Sequence, residues 1–330
     1  MARVLVLNAG SSSLKASVIE VGRAAALAEV SLDWGADATR AADRPAAVAE
    51  VLRRLRASDQ LALELVGHRL VHGGARFLAP AVLDQAVLAE LEELSALAPL
   101  HNPIALETAR AAMAALPAAR HVAVFDTAFH ATLAEPAHVY PLPWHWHTEW
   151  GVRRFGFHGL SVEWAVRRAA PLLGRQPADV RLVVAHLGSG CSASAVEAGR
   201  SAATTMGMTP LEGLMMGTRA GSFDPGNGLR LLRERRLSLD ELTEALEHGA
   251  GLLGVSGLSS DVRELERAAA GGDRRSGLAL ELFVRRAAEG IAATASALPA
   301  LDALVFTGGI GENAGALRAR IVARLAVMGL

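Results

Sequence analysis

An α/β protein made of two copies of one unit is what the sequence predicts, on three observations. Short β-branched apolar runs alternate with amphipathic helical stretches along the chain. VLVLNAGSSSLKASV (4–18) can be laid over LVVAHLGSGCSASAV (182–196), so that Gly10 meets Gly188, Ser11 meets Ser189 and Val18 meets Val196. Several predicted strands end in a polar residue near a glycine or other small residue: Asn8, Arg69, Asp126, His186 and Thr307. Ligands of α/β sheets bind at strand carboxyl ends, so these side chains are expected to converge on a site.

The elements follow in order. RVLVLNAG reads as a buried strand from Arg3, with LKASVIEV as its hairpin partner. ELVGHRLVHGGARF is an alternating strand ending in a glycine turn, followed by a helix from Leu83 to Ala98. LAPLHNPIALETARAAMAAL predicts a second helix with Asn102 as N-cap and Pro103 at its first position. ARHVAVFDTAFHATL holds another buried strand, ending at Asp126. The aromatic-rich PLPWHWHTEWGVRRFGFHG reads as a surface connection, where Trp144, Trp146 and Trp150 pack or meet a second copy. A boundary near Gly151 divides the chain into domains of residues 1–150 and 151–330. The second half carries helices at Leu239–His248, Asp261–Ala270 and Ser276–Leu298. The strand ALVFTGG follows, then a glycine-rich loop, GGIGENAG, opening a last helix near Ala314.

The chain has 330 residues, 51% of them hydrophobic, enough to bury a large core in two domains. A net charge of −1 offers no basic excess for nucleic acid or acidic membranes. No apolar run reaches the ~18 residues of a membrane span and the N-terminus lacks a signal-peptide layout, so a cytoplasmic location is expected. The single cysteine, Cys191, reads as a packing residue. Of 33 basic residues only Lys15 is a lysine. A compact ammonium fits a narrow site crowded with phosphate oxygens where the guanidinium fork does not. Lys15 belongs to a small-residue turn that can aim N–H groups and hydroxyls at an anion, and the second copy, around Gly188, Ser189 and Gly190, has the same character. Acid, arginines, histidines and phosphate-suited turns together are what phosphoryl transfer needs. His68, His72, His101, His130 and His186 read equally well as structural histidines or as site residues.

Eight motifs occur in order: LNAGSSSLK, GHRLVHGG, LAPLHNP, VFDTAFH, RRFGFHGLS, PLEGLMMGTRAGSFDP, GLLGVSGLSSDVREL and FTGGIGENA. Together they closely resemble the acetate kinase family, from Arg3 to about Arg320. The resemblance implies the acetate and sugar kinase/Hsc70/actin (ribonuclease H-like) fold, with duplicated domains around a nucleotide cleft. It implies the reaction of ATP and acetate to ADP and acetyl phosphate with Mg²⁺ or Mn²⁺, and a homodimer formed through the second domain. On matching residues it implies that Arg69 and Arg219 bind the carboxylate and the phosphoryl group, and that His158 steadies the phosphoryl oxygens. By the same resemblance Asp126 would orient the attacking carboxylate or hold the metal network, and Asn8 would be the metal-side residue. Ser11, Ser13, Lys15, His186, Gly188, Ser189 and Gly190 serve the phosphates, Gly309, Ile310 and Asn313 the adenosine. Val71, Leu100, Phe157 and Pro210 pack around the acetate methyl group.

Two departures stand out. Ser189 occupies a position where the family commonly has asparagine, which predicts a weakened phosphate contact. The sequence stops at Leu330, before the family's further strands, a metal-associated glutamate and a terminal helix; Glu312 lies in the adenosine loop and is no substitute by assumption. Alternative readings are a propionate or butyrate kinase of the same fold, or a catalytically weak nucleotide-binding remnant.

Overall fold

The computed structural model describes residues 2–10, 13–22, 25–33, 43–56, 63–99 and 101–329. They form two compact units, Met1–Ala128 and Phe129–Leu330. In the first, β1 (Arg3–Ala9), β2 (Ser13–Glu20), β3 (Ala28–Asp33), β4 (Leu65–Leu70), β5 (Ala81–Val82) and β6 (Arg120–Phe125) form one sheet in the order β3-β2-β1-β4-β6-β5. β1, β4 and β6 run parallel, and β2 returns antiparallel beside β1. Helix α1 (Arg44–Arg56) buries Val48, Val51, Leu52 and Leu55 against Leu5, Leu7, Leu14 and Val18. Helices α2 (Gln85–Glu93) and α3 (Asn102–Ala115) bury Leu88, Leu91, Leu106 and Ala109 against Leu70 and Phe125. The helix expected over 83–98 is thus α2, capped by Asp84, followed by a 3₁₀ turn at Leu94–Leu97.

Asn102 is not the N-cap of α3. His101 takes that position, Asn102 is already helical, and its buried amide accepts from the His72 N–H (3.1 Å) and donates to the His72 carbonyl (2.9 Å). A buried peptide group must be hydrogen-bonded, and here that demand outweighs the local capping preference.

The second unit begins before Gly151. Phe129 packs against Val162, Val166 and Leu182, His130 hydrogen-bonds Ser201 Oγ (2.8 Å) and the Phe157 carbonyl (3.0 Å), and Val139 bridges to Arg153. The aromatic stretch forms short helices α4 (Glu135–His138) and α5 (Trp144–Thr148), with Trp146 stacked on Trp150. Helix α6 (Gly159–Leu172) follows. Strands β7 (Arg181–Leu187), β8 (Cys191–Glu197), β9 (Arg200–Thr204) and β10 (Ala303–Thr307) pair in the order β10-β7-β8-β9. Between β9 and β10 run α7 (Pro225–Arg233), α8 (Leu239–Glu247), α9 (Gly251–Ser256), α10 (Val262–Ala270) and α11 (Arg274–Ala295). Helix α11 repeats buried residues at 279/280, 283/284, 287/288 and 291, the spacing of one apolar face, and packs on β7 and β8. The glycine-rich loop is a short helix, α12 (Gly308–Asn313), leading to α13 (Gly315–Arg324). Gly308 starts it at φ +78°, where a Cβ would lie 2.6 Å from the Leu187 carbonyl oxygen.

The two units share a strand plan. β4 joins β1 and β10 joins β7 in parallel, and the same offset pairs Leu7 with His68 and His186 with Thr307. The hairpins differ by one residue: Leu5 faces Val18, but Val183 faces Ala195, because three residues rather than four separate the paired ends Leu187 and Cys191. The gapless alignment therefore holds along β1 and β7 and slips after the turn. Lys15, opposite Asn8, corresponds to Ser192, opposite His186. Among the described residues no helix is long and apolar enough to cross a membrane.

His68 and His121 stack inside the first sheet, with Nε2 of His68 2.9 Å from Nδ1 of His121. Because His121 Nε2 donates to the Leu116 carbonyl (3.1 Å), its Nδ1 accepts, and His68 is the donor in the pair. Burial, then the neighbouring imidazole, pushes His68 down to about 3, and burial also lowers His121. The unfolded chain binds a proton near pH 6.5 that the folded chain refuses, so stability present above 6.5 is lost as pH falls toward 3. Urea unfolding between these limits should show stability falling by up to about 1.4 kcal/mol per pH unit for His68. A flat profile there would refute the neutral buried pair.

Candidate active site

In the first unit, three neighbouring parallel strands bring their carboxyl ends together. Asn8 lies near the end of β1, Arg69 near the end of β4, and Asp126 directly follows β6. Arg69 donates from Nε to Asp126 Oδ1 (3.2 Å), from Nη2 to Oδ2 (2.5 Å) and from Nη1 to Asn8 Oδ1 (3.1 Å). Asp126 is buried, while the Arg69 side chain remains 28% exposed. The adjoining carboxylate raises the Arg69 pKa further, so the guanidinium stays charged. Among the described residues three of its five N–H donors are engaged, and the other two can serve an anionic ligand.

Val71, two residues after Arg69, is buried. The next peptide is held by Asn102, and Gly73 is packed so closely that a Cβ would meet the Phe77 carbonyl at 2.6 Å. Lys15 is exposed on β2, directly opposite Asn8 and therefore on the same face of the hairpin. The carbonyl of Ser13 closes the first turn by accepting from Gly10 N–H (2.8 Å). Ser11 and Leu100 lie outside the described residues.

The second unit repeats the pairing with different chemistry. At the positions equivalent to Asn8 and Arg69, His186 Nδ1 lies 3.0 Å from Thr307 Oγ1. The ring of His158 packs over His186 at 4.3 Å, and its Nδ1 lies 2.9 Å from Ser192 Oγ. His158 has φ +60°, an uncommon backbone state for a residue with a side chain, at the entrance to α6. Phe157, just before it, is buried. Arg219 donates from Nη1 to the Pro210 carbonyl (2.7 Å), and burial pulls its pKa down against the opposing pull of Glu247. Arg219 and His158 converge on Gly190, where a Cβ would lie 3.0 Å from Nη2 of the arginine and 3.3 Å from Nε2 of the histidine.

Beside this cluster lies a cleft of about 580 Å³. Gly188, Ser189, Gly309, Ile310 and Asn313, all expected to contact nucleotide, line it. So do Ser260, Asp261, Val262 and Arg263 of the GLSSDVREL motif, for which sequence reasoning supplies no role. Asp261 caps α10 through the Arg263 N–H (2.8 Å) and pairs with the Arg263 guanidinium, which holds its carboxyl down at about 2. An acidic N-cap after two serines was the available signal. Cys191 is buried, its thiol pushed up to about 12, and so is unreactive packing. His68, His72 and His130 are likewise committed to internal hydrogen bonds.

The first unit thus carries an arginine–carboxylate cluster, and the second a glycine turn, a nucleotide-sized cleft and a cluster of histidines with Arg219. The sequence pattern of the Acetokinase family matches residues 3–330. The chain belongs to the acetokinase family. Acetate kinase of Deinococcus radiodurans is 47% identical over 343 residues, covering 99% of this chain and 86% of that protein. Propionate kinase of Klebsiella pneumoniae is 45% identical, covering 99% and 85%. The crystal structure of Porphyromonas gingivalis acetate kinase superposes with a TM-score of 0.89 at 36% identity, covering 100% of this chain and 88% of that one. The acetokinase fold is thus the one expected from the sequence.

Gly190→Ala tests the convergence in this acetokinase chain. The obstructed atoms are flexible side-chain ends, so the variant should fold with a near-normal melting temperature. Arg219 and His158 would have to give way by a few tenths of an ångström, which should lower turnover by roughly 10-fold, less than the ~10²-fold of a 1 Å misplacement. Normal turnover would show that neither side chain must approach Gly190.

Proposed function

We propose that the chain transfers the γ-phosphoryl group of ATP to acetate, giving ADP and acetyl phosphate. The observation that carries this reading is Arg69: charged, oriented by Asp126 and Asn8, partly exposed, and followed by the buried apolar Val71. A fixed guanidinium followed two residues later by a buried apolar side chain suits a short carboxylic acid.

In this mechanism Arg69 holds the acetate carboxylate, and Asp126 fixes the direction from which its oxygen attacks the γ-phosphorus. The new P–O bond forms as the bond to the β-phosphate oxygen breaks, and ADP leaves. Arg219 and His158 donate to the three oxygens over which charge spreads, where such stabilisation is most effective. His186, Gly188, Ser189 and Gly190 hold the β- and γ-phosphates, with Ser11, Ser13 and Lys15 as the first phosphate turn. Ser189 reaches less far than an asparagine, which should weaken its share. Gly309, Ile310 and Asn313, with Asp261, Val262 and Arg263, take the adenosine. Val71, Leu100, Phe157 and Pro210 limit the length of the acid.

Among the described residues no group of three or more His, Cys, Asp or Glu side chains could hold a metal. Asn8 Oδ1 and the Asp126 carboxylate nevertheless fit Mg²⁺, which takes hard oxygen ligands and is commonly held by one or two protein groups, water and the substrate's phosphates. When bound there it would neutralise phosphate charge. Homodimer formation and a cytoplasmic location belong to the same reading. A propionate kinase is the second reading, favoured by the similarity to the Klebsiella protein that carries that name.

Two variants test the proposal. Arg219→Ala should lower turnover by about 10³–10⁵-fold while leaving nucleotide affinity nearly unchanged; ADP release measured with acetate and saturating ATP decides it, and near-normal turnover would remove the arginine from the mechanism. Val71→Ala should raise kcat/KM for propionate relative to acetate by about 1–3 kcal/mol of discrimination. An unchanged ratio would show that Val71 does not limit the acid.

A further inference from the structure

Glu212 belongs to no phosphate turn, yet two other segments of the second unit meet on its carboxylate. Its Oε2 accepts from the Tyr140 hydroxyl, and its Oε1 accepts from Arg154 Nη2 (2.7 Å). Arg154 also donates from Nη1 to the carbonyls of Thr205 (3.0 Å) and Met206 (2.9 Å), and its guanidinium lies 5.2 Å from the centre of the Tyr140 ring. The Tyr140 oxygen in turn accepts from Met208 N–H (3.1 Å). The Gly207 carbonyl accepts from Phe155 and Gly156 N–H (3.0 and 3.2 Å). The carboxylate and the phenol crowd so closely over Gly207 that a Cβ there would collide with both.

This knot has two outputs, both toward residues with a role in the proposed reaction. Pro210, two residues before Glu212, presents the carbonyl that anchors Arg219 Nη1 at 2.7 Å. Residues 155 and 156, held on Gly207, lead directly into Phe157 and the left-handed His158. We propose that Glu212 is a positioning residue: by tying Arg154 and Tyr140 to the 205–212 loop it sets Pro210, and through it the guanidinium of Arg219, relative to His158. Glu212 touches neither substrate nor nucleotide in this role. The proposal rests on the catalytic reading of Arg219, and the test separates the two.

Glu212→Gln keeps the size of the side chain but removes its charge and one of its two acceptor oxygens. Together with Arg219→Ala and the double variant, it should be assayed for turnover with ATP and acetate, for ADP affinity by calorimetry, and for melting temperature. The expected result is a fall in kcat of about 10²-fold for Glu212→Gln, as for a small misplacement of a catalytic group, with ADP affinity unchanged. The double variant should be slower than Arg219→Ala alone by much less than the full effect of Glu212→Gln, because most of that effect passes through the arginine and only the remainder through His158. The proposal is overturned if kcat is unchanged, if kcat and ADP affinity fall together with melting temperature, or if the two effects multiply. If Glu212→Gln does not fold, Tyr140→Phe removes a single hydroxyl from the same carboxylate. It should show a smaller loss in kcat at unchanged ADP affinity, and normal kcat there counts against the proposal. A slow Arg219→Ala with a normal Glu212→Gln refutes only the positioning role. A fast Arg219→Ala overturns both readings.

Discussion

Parallel pairing at a common offset is the constraint on which the rest of the protein depends. When β4 joins β1 and β10 joins β7 in that register, Asn8 falls beside Arg69 and His186 beside Thr307, each pair at a sheet's carboxyl end and each hydrogen-bonded. A register slip by one residue would turn every side chain to the opposite face, so the buried apolar residues of these strands enforce the polar pairs at their ends. Leu5, Leu7 and Val66 in the first unit, and Leu182, Val184 and Val196 in the second, thereby support chemistry they never touch.

One strand plan carries two kinds of chemistry because only the strand-end residues differ. The first unit places a guanidinium between a carboxylate and an amide, an arrangement that keeps positive charge fixed. The second places imidazoles against hydroxyls, with Arg219 above the glycine turn. Positive φ at His158 and the close approach at Gly190 are local costs of that arrangement, and neighbours such as the largely buried β7 and β8 keep them in place.

Much of this was legible in the sequence. Most strands, the duplication and the strand-end residues follow from apolar periodicity and from glycine-containing turns, which are local signals; β3, β5, β9 and helix α1 carried no such signal. What was not legible depends on partners distant in sequence. Asn102 has every mark of an N-cap, but the peptide at His72 claims its amide. The one-residue slip after the second turn is invisible in a gapless alignment of small residues, because serine and alanine fit either register. The units divide at Ala128 and not near Gly151 because the segment before Gly151 pairs with Arg153 and Arg154, whose neighbours Phe155 and Gly156 hydrogen-bond onward to Gly207 in the second unit. Asp261 and Glu212 sat inside quoted motifs, yet nothing local announced that one lines the cleft or that the other gathers two other segments.

The central claim is that an acid selected by Arg69 receives the phosphoryl group directly. Phosphorus NMR of the purified chain with ATP, Mg²⁺ and acetate tests it without any coupling enzyme. The account predicts an acyl phosphate resonance that grows in step with ADP and is absent without acetate. ADP growing together with inorganic phosphate alone, or no change in ATP, would contradict it.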